Sequence, residues 1–340
     1  MNSKRELPLP DHYHRRKVDQ VWRVPYQDRA QEARAWADEH DIQPAGDDER
    51  SAALILIDVQ NTFCLPDFEL FVAGRSGMGA VEDNRRLTEF IYRNLGKITQ
   101  ITATMDTHRP LQIFHALFLV DAEGNHPSAN TMITHEEVKE GKWEVNPAAV
   151  ERLGIDQAYA NRFLHHYTKQ LAEKEKYELT IWPYHAMLGG IGHALVSAVE
   201  EAIFFHSISR HTQADFKIKG GNLLTEHYSA VGPEILEGPE GKEIAQKDET
   251  LLEVVKTYDR VVIAGQAKSH CVAWTVSDLL DQIKTEDPSL ADKVYLLKDC
   301  TSPVVIPEVV DFTEQADRAF ERFSNEGMHL VRSTDSPLSG

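Results

Sequence analysis

Short apolar runs alternate along this chain with longer segments of helical character, and the alternation begins at Ala52. Residues 52–57 (AALILI) are apolar at every position, which is typical of a parallel strand covered on both faces. Further strand-like runs occupy 98–105, 214–219, 259–265, 293–299 and 328–332. Helical segments occupy 80–96, 271–286 and 312–325. Six strands that alternate with helices predict a doubly wound sheet between layers of helices, which is an α/β fold.

The other segments predict how the chain is organised. Its 340 residues suit one large α/β domain with additions, or two domains of ordinary size. Residues 1–50 are polar, with a predicted helix at 28–40, and we interpret them as an N-terminal extension packed on the main domain or on a neighbouring subunit. The main domain is expected to span 51–335. Within it, residues 120–180 are an insert that contains a charged helical segment at 157–177.

Charge and composition exclude several classes of protein. The formal net charge is −18, whereas binding to nucleic acid or to an anionic membrane depends on basic patches. Three cysteines are too few for a disulfide scaffold and fit a reducing compartment. The N-terminus lacks the apolar core of a secretory signal, and no stretch approaches 18 consecutive apolar residues. We therefore expect a soluble cytoplasmic protein that binds neither nucleic acid nor membrane.

Ionisable side chains follow four consecutive predicted strands, and ligands of open α/β sheets bind at these strand ends. Asp58 follows the first strand, Asp106 the second, Lys219 closes the third and Cys271 follows the fourth. Cys271 lies at the start of the predicted helix 271–286, where unpaired backbone N–H groups and the helix dipole favour a thiolate. It is therefore a candidate nucleophile, although a small core residue at a helix start is the alternative interpretation.

Five sequence motifs in order resemble the nicotinamidase branch of the isochorismatase-like cysteine hydrolases. They are LILIDVQNTFC (54–64), ATMDTHRPLQIFH (103–115), IWPYH (181–185), KGGNLLTEHYSAV (219–231) and GQAKSHCVAWTV (265–276). The resemblance extends from Ser51 to Arg332, and it implies a six-stranded parallel sheet in a three-layer α/β/α architecture.

The resemblance implies a catalytic triad of Cys271, Asp58 and Lys219. Asp58 would take the thiol proton as a general base and return it to the leaving amine, while Lys219 would hold Asp58 ionised and favour the thiolate. Attack on an amide carbonyl creates an oxyanion, for which the resemblance implies backbone N–H donors at Ala267 and Cys271. It also implies a cis peptide bond between Gln266 and Ala267.

The same resemblance implies a divalent metal and an aromatic substrate pocket. Asp106 and His108 lie on one side of an extended segment, and the resemblance adds His185 as the third ligand. This donor set suits zinc, with manganese or iron as alternatives. His115 is a weaker candidate ligand, because it can simply pack. The pocket residues implied by the resemblance are Phe63, Trp182 and Tyr228, which would hold a flat heterocycle.

Several positions depart from the family pattern, and they leave the substrate open. Ala186 replaces a cysteine, and Lys268 and His270 stand where small or aromatic residues are usual. The leading hypothesis is a metal-dependent cysteine amidohydrolase, acting in a homo-oligomer on a small planar carboxamide such as nicotinamide. The alternatives are a hydrolase of N-carbamoyl or ureido compounds, an isochorismatase-type hydrolase, and a non-catalytic module that binds a small molecule.

Overall fold

The computed structural model describes residues 6–174 and 176–338. Its strands are, in chain order, β1 (Ala52–Ile57), β2 (Gln100–Asp106), β3 (Leu119–Val120), β4 (Met132–Ile133), β5 (Glu144–Val145), β6 (Leu179–Thr180), β7 (Asp215–Lys219), β8 (Arg260–Gly265), β9 (Val294–Leu297), β10 (Val305–Ile306), β11 (Val310–Asp311) and β12 (His329–Val331). Each of the six strands predicted from the sequence is present, with ends that differ by at most two residues.

Ten α-helices lie between and around these strands in the described part of the chain. They are α1 (Tyr26–Glu39), α2 (Asn61–Cys64), α3 (Gly79–Arg93), α4 (His135–Lys139), α5 (Pro147–Leu153), α6 (Gln157–Glu173), α7 (Ser197–Ser209), α8 (Thr250–Thr257), α9 (Ala273–Glu286) and α10 (Thr313–Asn325). None of the helices that the structure describes is both long and apolar enough to cross a lipid bilayer.

The main sheet has six strands in the order β12-β9-β8-β1-β2-β7, and every neighbouring pair is parallel. This confirms the predicted α/β fold with a six-stranded parallel sheet. The chain moves outward from β1 through β2 to β7, then resumes on the other side of β1 with β8. The strand order therefore reverses between β1 and β8, which is where ligands bind in such sheets.

Both faces of the sheet are covered, and the alternation of side chains along β1 shows how. Leu54 and Leu56 belong to a core with α3 and α7, whereas Ala53, Ile55 and Ile57 belong to a core with α8, α9 and α10. Successive side chains of a strand point to opposite faces, so both sets must be apolar. The uninterrupted apolar run of β1 is the consequence.

Helix α7 was not predicted from the sequence. Its segment, SAVEEAIFFHSIS, has apolar residues around most of its circumference, so it lacks the periodicity of an amphipathic helix. The reason is tertiary, because α7 packs against the sheet core on one side and against α1 on the other. A helix covered on two sides needs no polar face.

The segment before β1 packs on the main domain. Leu7, Leu9, Trp22 and Trp36 pack against the core on the α3 and α7 face. A buried ion pair joins α1 to α7 (Arg29 Nε to Glu201 Oε1, 2.7 Å). Of the two packing alternatives for the extension, the structure shows contact with its own main domain from residue 6 onwards.

The insert builds a core of its own beside the sheet. Phe163, Leu164 and Tyr167 of α6 pack with Trp143 and other apolar side chains of residues 113–182. Trp182 and Tyr228 belong to the same cluster, so the insert extends to the edge of the sheet where the candidate site lies.

Candidate active site

Asp58 directly follows β1, at the point where the strand order reverses. Its backbone has φ +49°, and its side chain is fully buried. The hydroxyl of Thr104 on β2 donates to Asp58 Oδ1 at 2.5 Å and accepts from the Asp58 backbone N–H at 3.0 Å. The neighbouring strand therefore fixes this carboxylate in one orientation.

Lys219 closes β7 and reaches across the strand ends into the site. Its Nζ lies 3.0 Å from Asp58 Oδ2, 3.0 Å from Asp106 Oδ1 and 3.6 Å from Cys271 Sγ. It also donates to the carbonyl of His227 at 2.7 Å. Because β7 pairs with β2 so that Lys219 is opposite Asp106, the parallel register alone brings these two charges together.

Cys271 follows β8 through a turn that only glycine can make. Gly265 has φ +128°, and a Cβ there would lie 2.0 Å from the carbonyl oxygen of Ile57. The chain then forms a π-helical turn, Lys268–Val272, and α9 begins at Ala273. Cys271 therefore lies in the π-turn before α9, whereas the sequence predicted a helix that starts at Cys271.

The structure thus brings together the three residues of the predicted triad, and both burial and their mutual contacts shift their pKa values. Two carboxylates, Asp106 and Asp58, outweigh the effect of burial on Lys219 and raise its pKa well above the ordinary value. Burial raises the pKa of Asp58, against the opposing effect of Lys219. The pKa of Asp106 falls below its usual range, since His108 and Lys219 outweigh its burial.

The expectation that the helix start favours a thiolate at Cys271 is wrong for this site. Burial raises the pKa of the Cys271 thiol well above its ordinary value, and the carboxylate of Asp58 raises it further. Lys219 lowers this pKa but does not compensate. The thiol is therefore neutral, and it needs a base within reach to become a nucleophile.

The predicted oxyanion residues, Ala267 and Cys271, both line a cavity beside the triad. The Ala267 carbonyl faces the π-turn and accepts from the N–H groups of His270 (3.0 Å) and Val272 (3.1 Å). The peptide bond between Gln266 and Ala267 is cis, as the resemblance implied. That the N–H groups of Ala267 and Cys271 bind an oxyanion stays a prediction.

Three buried histidines form a cluster beside the triad. Ligand-type atoms of His108, His115 and His185 all lie within 4.8 Å of one another. Asp106 contacts the same cluster, with Oδ1 3.0 Å from His108 Nε2 and Oδ2 3.9 Å from His185 Nε2. The sequence treated His115 as the weaker candidate, and the structure places it with the other ligands.

The chemistry of these residues fits a divalent metal ion. The Nδ1 atoms of His115 and His185 donate to the carbonyls of Arg109 (3.1 Å) and Pro183 (2.8 Å), which directs each Nε2 into the cluster. Among the described residues, His115 Nε2 and His108 Nδ1 are buried without a hydrogen-bond partner, and His108 Nε2 faces the Asp106 carboxylate at 3.0 Å. Such atoms are costly unless they bind something. Imidazoles with one carboxylate suit zinc, and also iron or manganese.

A cavity of about 240 Å³ lies between the triad and the histidine cluster. The predicted pocket residues Phe63, Trp182 and Tyr228 all line it, and Trp182 Nε1 donates to the hydroxyl of Tyr228 at 3.1 Å. Cys271 and His185 line the same cavity, so a small ligand could touch both the thiol and the histidine cluster.

Other residues of the cavity were not identified from the sequence. His270 lines it, with its Nδ1 2.8 Å from the Ser269 hydroxyl, and burial lowers its pKa to about 3. Glu226 also lines it, and burial raises its pKa to about 7. Position along the chain could have indicated both, since His270 directly precedes Cys271 and Glu226 lies two residues before Tyr228, on the same side of an extended segment.

Two further segments supply cavity walls for which the sequence has no local signal. Asn130 comes from the insert, and Val305 and Ile306 form β10 of a small hairpin with β11. Both segments are far from the triad in the chain. Only the tertiary fold brings them to the cavity.

Comparison with known proteins found similar solved structures. No protein-family model matches the chain, and no curated protein matches it. A nicotinamidase/pyrazinamidase from Acinetobacter baumanii is 17% identical, with a TM-score of 0.49 over 84% of this chain and 98% of that one. A yeast nicotinamidase bound to the inhibitor nicotinaldehyde is also 17% identical, with a TM-score of 0.48 over 83% and 99%.

A pyrazinamidase of Pyrococcus horikoshii in complex with zinc is 18% identical, with a TM-score of 0.43 over 83% of this chain and 99% of that one. These structures come from the group of enzymes that the five motifs indicated. Likeness at this level of identity concerns the fold, so the activity of this chain must be argued from its own site.

Proposed function

We propose that this protein is a metal-dependent cysteine amidohydrolase that converts a small planar carboxamide, with nicotinamide the first candidate, to the carboxylic acid and ammonia. One observation carries the proposal. Lys219 Nζ lies 3.6 Å from Cys271 Sγ and 3.0 Å from Asp58 Oδ2, beside a cavity that also contacts the histidine cluster. A purely structural role does not explain why a thiol, a carboxylate and an ammonium group converge beside a cavity.

The reaction follows from the charge states of these groups. Asp58, whose pKa is raised, takes the proton of the neutral Cys271 thiol as the sulfur attacks the amide carbon. The carbonyl oxygen becomes an oxyanion beside the N–H groups of Ala267 and Cys271. Asp58 then returns the proton to the nitrogen, the C–N bond breaks and ammonia leaves.

The thioester that remains is hydrolysed by water. Asp58 accepts a proton from the water as its oxygen adds to the thioester carbon, and the C–S bond then breaks. The released sulfur takes up that proton, and the carboxylic acid leaves. Lys219 keeps its charge throughout and limits the build-up of negative charge between Asp58 and Asp106.

Asp106, His108, His115 and His185 are the residues that would hold the ion. The chemistry that a divalent ion supplies there is a Lewis-acidic position for the lone pair of a ring nitrogen. Phe63, Trp182 and Tyr228 line the cavity and would contact the faces and edges of the ring.

The cavity lining argues against the anionic alternatives. Ureido acids and isochorismate carry carboxylates, which proteins bind mainly through arginine or lysine. Among the described residues that line the cavity, none is arginine or lysine, whereas Glu69, Asp106 and Glu226 are acidic. Lys219, behind Cys271, is already paired with two carboxylates. A neutral carboxamide fits this lining better.

The test is to compare kcat/KM for nicotinamide, pyrazinamide, benzamide and an N-carbamoyl amino acid by ammonia release. We expect turnover of the two amides that carry a ring nitrogen. Benzamide lacks the metal-binding nitrogen, and such a loss can cost up to about 10⁴-fold. The N-carbamoyl compound should not react above the background of Cys271→Ala.

Two results would contradict the proposal. Hydrolysis of the N-carbamoyl compound alone would leave a cysteine amidohydrolase but exclude the nicotinamidase activity. If no amide releases ammonia although zinc and nicotinamide both bind, the protein is a binding module.

A further inference from the structure

The side chain of Gln266 connects the nucleophile loop to two other parts of the fold. It is 1% exposed, and it sits between β8 and the π-turn that carries Cys271. Its Nε2 donates to Asp83 Oδ2 of α3 at 2.9 Å, and its Oε1 accepts from the backbone N–H of Ser302 at 3.2 Å. Its own backbone N–H donates to the carbonyl of Ile57 at 2.8 Å.

Further hydrogen bonds join the same two loops. The N–H of Lys268 donates to the carbonyl of Ser302 at 2.9 Å, and the N–H of Val304 donates to the Ser269 hydroxyl at 3.0 Å. Segment 266–269 is therefore tied to segment 302–304, and the latter leads directly into β10, whose residues line the cavity. A change in one segment moves the other.

Asp83 is an unusual residue for the buried face of a helix. Its side chain is buried, and burial raises its pKa, although hydrogen bonds from Ser302 and Gln266 oppose the rise. Arg86, one turn along α3, contacts its other oxygen at 2.9 Å. A carboxylate in this position is costly unless every oxygen is bonded, so an apolar pair at 83 and 266 would stabilise the packing more simply.

We propose that Asp83 and Gln266 are a positioning pair, which holds the backbone of residues 266–271 so that the N–H groups of Ala267 and Cys271 face the carbonyl oxygen of the substrate. This inference rests on the proposed function. Neither side chain belongs to the triad or lines the cavity, so each acts through the loop. Oxyanion donors must lie about 2.7–3.1 Å from the developing charge, and a displacement of about 1 Å can cost about 10²-fold in rate.

The first test replaces Gln266 by methionine, which keeps the length of the side chain and removes both hydrogen bonds. We expect kcat for nicotinamide to fall at least about tenfold, because the donors shift only relative to the transition state. KM should change less than kcat, since the aromatic side chains proposed to hold the ring, Phe63, Trp182 and Tyr228, lie outside this loop. A role in packing alone would not separate the two constants.

A second readout uses pyridine-3-carbaldehyde. The thiol of Cys271 adds to this aldehyde and forms a tetrahedral adduct whose oxygen occupies the oxyanion position. The aldehyde should therefore bind Gln266→Met more weakly by the same factor as kcat/KM falls. Binding of nicotinate, which forms no such adduct, should stay unchanged.

An exchange of the two groups tests the contact itself. Gln266→Glu alone places two buried carboxylates about 3 Å apart, so kcat should fall by at least the same factor. In the double variant Gln266→Glu/Asp83→Asn, the amide at 83 donates to the carboxylate at 266, which still accepts from Ser302. We expect this double variant to recover most of kcat.

The matched control is Asn94→Ala, which removes a buried amide from the end of α3. The Nδ2 of Asn94 donates to the carbonyl of Phe90 at 3.0 Å. This variant should lower the thermal midpoint and leave kcat unchanged. If the wild type is active but Gln266→Met keeps kcat, or the double variant recovers stability without kcat, the positioning role is excluded. A wild type that hydrolyses no carboxamide overturns the proposed function instead, and this inference with it.

Discussion

At the scale of single residues, Lys219 determines the charge balance of the site. It is buried between two carboxylates, each 3.0 Å from its Nζ. An ammonium group in this position is stable only while both partners are present, because the cost of removing three charges from water is several kcal/mol per ion. Lys219 also lowers the pKa of the Cys271 thiol, but burial raises this pKa more, so the thiol stays neutral.

The nucleophile gives the first prediction. Cys271→Ala should reduce ammonia release to the uncatalysed background without loss of fold, because it removes only the attacking sulfur. Cys64→Ala and Cys300→Ala are the controls, since both sulfurs are buried and away from the cavity lining. Mass spectrometry after incubation with a small alkylating agent should find the adduct on Cys271. An adduct on Cys64 or Cys300 with loss of activity would refute the assignment.

The second prediction concerns His115, the weaker candidate ligand that the structure places beside His108 and His185. His115→Ala should release most of the bound zinc and raise KM for nicotinamide at least about tenfold, because it removes one of the buried imidazoles. Benzamide turnover, already slow, should change little. Metal content is measured by mass spectrometry of the purified protein.

The control for His115→Ala is His166→Ala. His166 lies on α6 of the insert, and its Nε2 donates to the carbonyl of Glu237. This control variant should keep both metal and activity. Full metal content in His115→Ala would show that Asp106, His108 and His185 suffice.

At the scale of elements, the N-terminal helix α1 and the unpredicted helix α7 depend on each other. Arg29 and Glu201 form an ion pair between them at 2.7 Å, with side chains only 10% and 7% exposed. Arg29 also contacts Glu32 on its own helix. The pair orients α1 on the sheet, and it leaves Glu201 uncompensated if the arginine is lost.

The third prediction follows from this burial. Arg29→Met should lower the free energy of unfolding by about 3–5 kcal/mol, because it leaves the buried carboxylate of Glu201 without its charged partner. The double variant Arg29→Met/Glu201→Leu should regain most of this loss. Urea unfolding measures both. Arg75→Met removes an ion pair whose side chains are 60% and 38% exposed, so its effect on the free energy of unfolding should be much smaller.

At the scale of the whole molecule, burial of neutral histidines makes the fold sensitive to acid. His206 is fully buried on α7, where its Nε2 donates to the carbonyl of Ile98 at 2.8 Å. Burial is the largest cause of a fall in its pKa from 6.5 to about 4, and Arg210 contributes to this fall. The unfolded chain therefore binds this proton more readily than the folded chain does.

The fourth prediction is the resulting pH dependence. The contribution of neutral His206 to stability is complete above pH 6.5 and is lost as the pH falls towards about 4, with an upper limit of about 3 kcal/mol. His206→Gln keeps a donor for Ile98 but does not titrate. Its unfolding free energy should therefore fall less steeply between pH 6.5 and 4.5 than that of the wild type. Equal slopes for the two proteins would contradict the prediction.

Part of the site was predictable because parallel strands end at one edge of the sheet. Asp58, Asp106 and Lys219 lie at the ends of three strands predicted from the sequence, and the register of β2 and β7 then pairs Asp106 with Lys219. His115 was undervalued, since it follows His108 by seven residues across an irregular loop. No periodicity predicts where such a loop brings a side chain.

The sequence by itself indicated the six strands along the chain, the parallel α/β fold and the strand ends at which the triad lies, because apolar periodicity and glycine turns are local properties of the chain. Only the tertiary structure decided the charge state of Cys271, the cavity walls from the insert and from β10, and the contact between Asp83 and Gln266. These features depend on burial, which is created by segments distant in the chain. A helix dipole acts on its first turn alone, whereas removal of water by the whole fold acts on every buried ionisable group, and at Cys271 burial is the largest cause of the raised pKa.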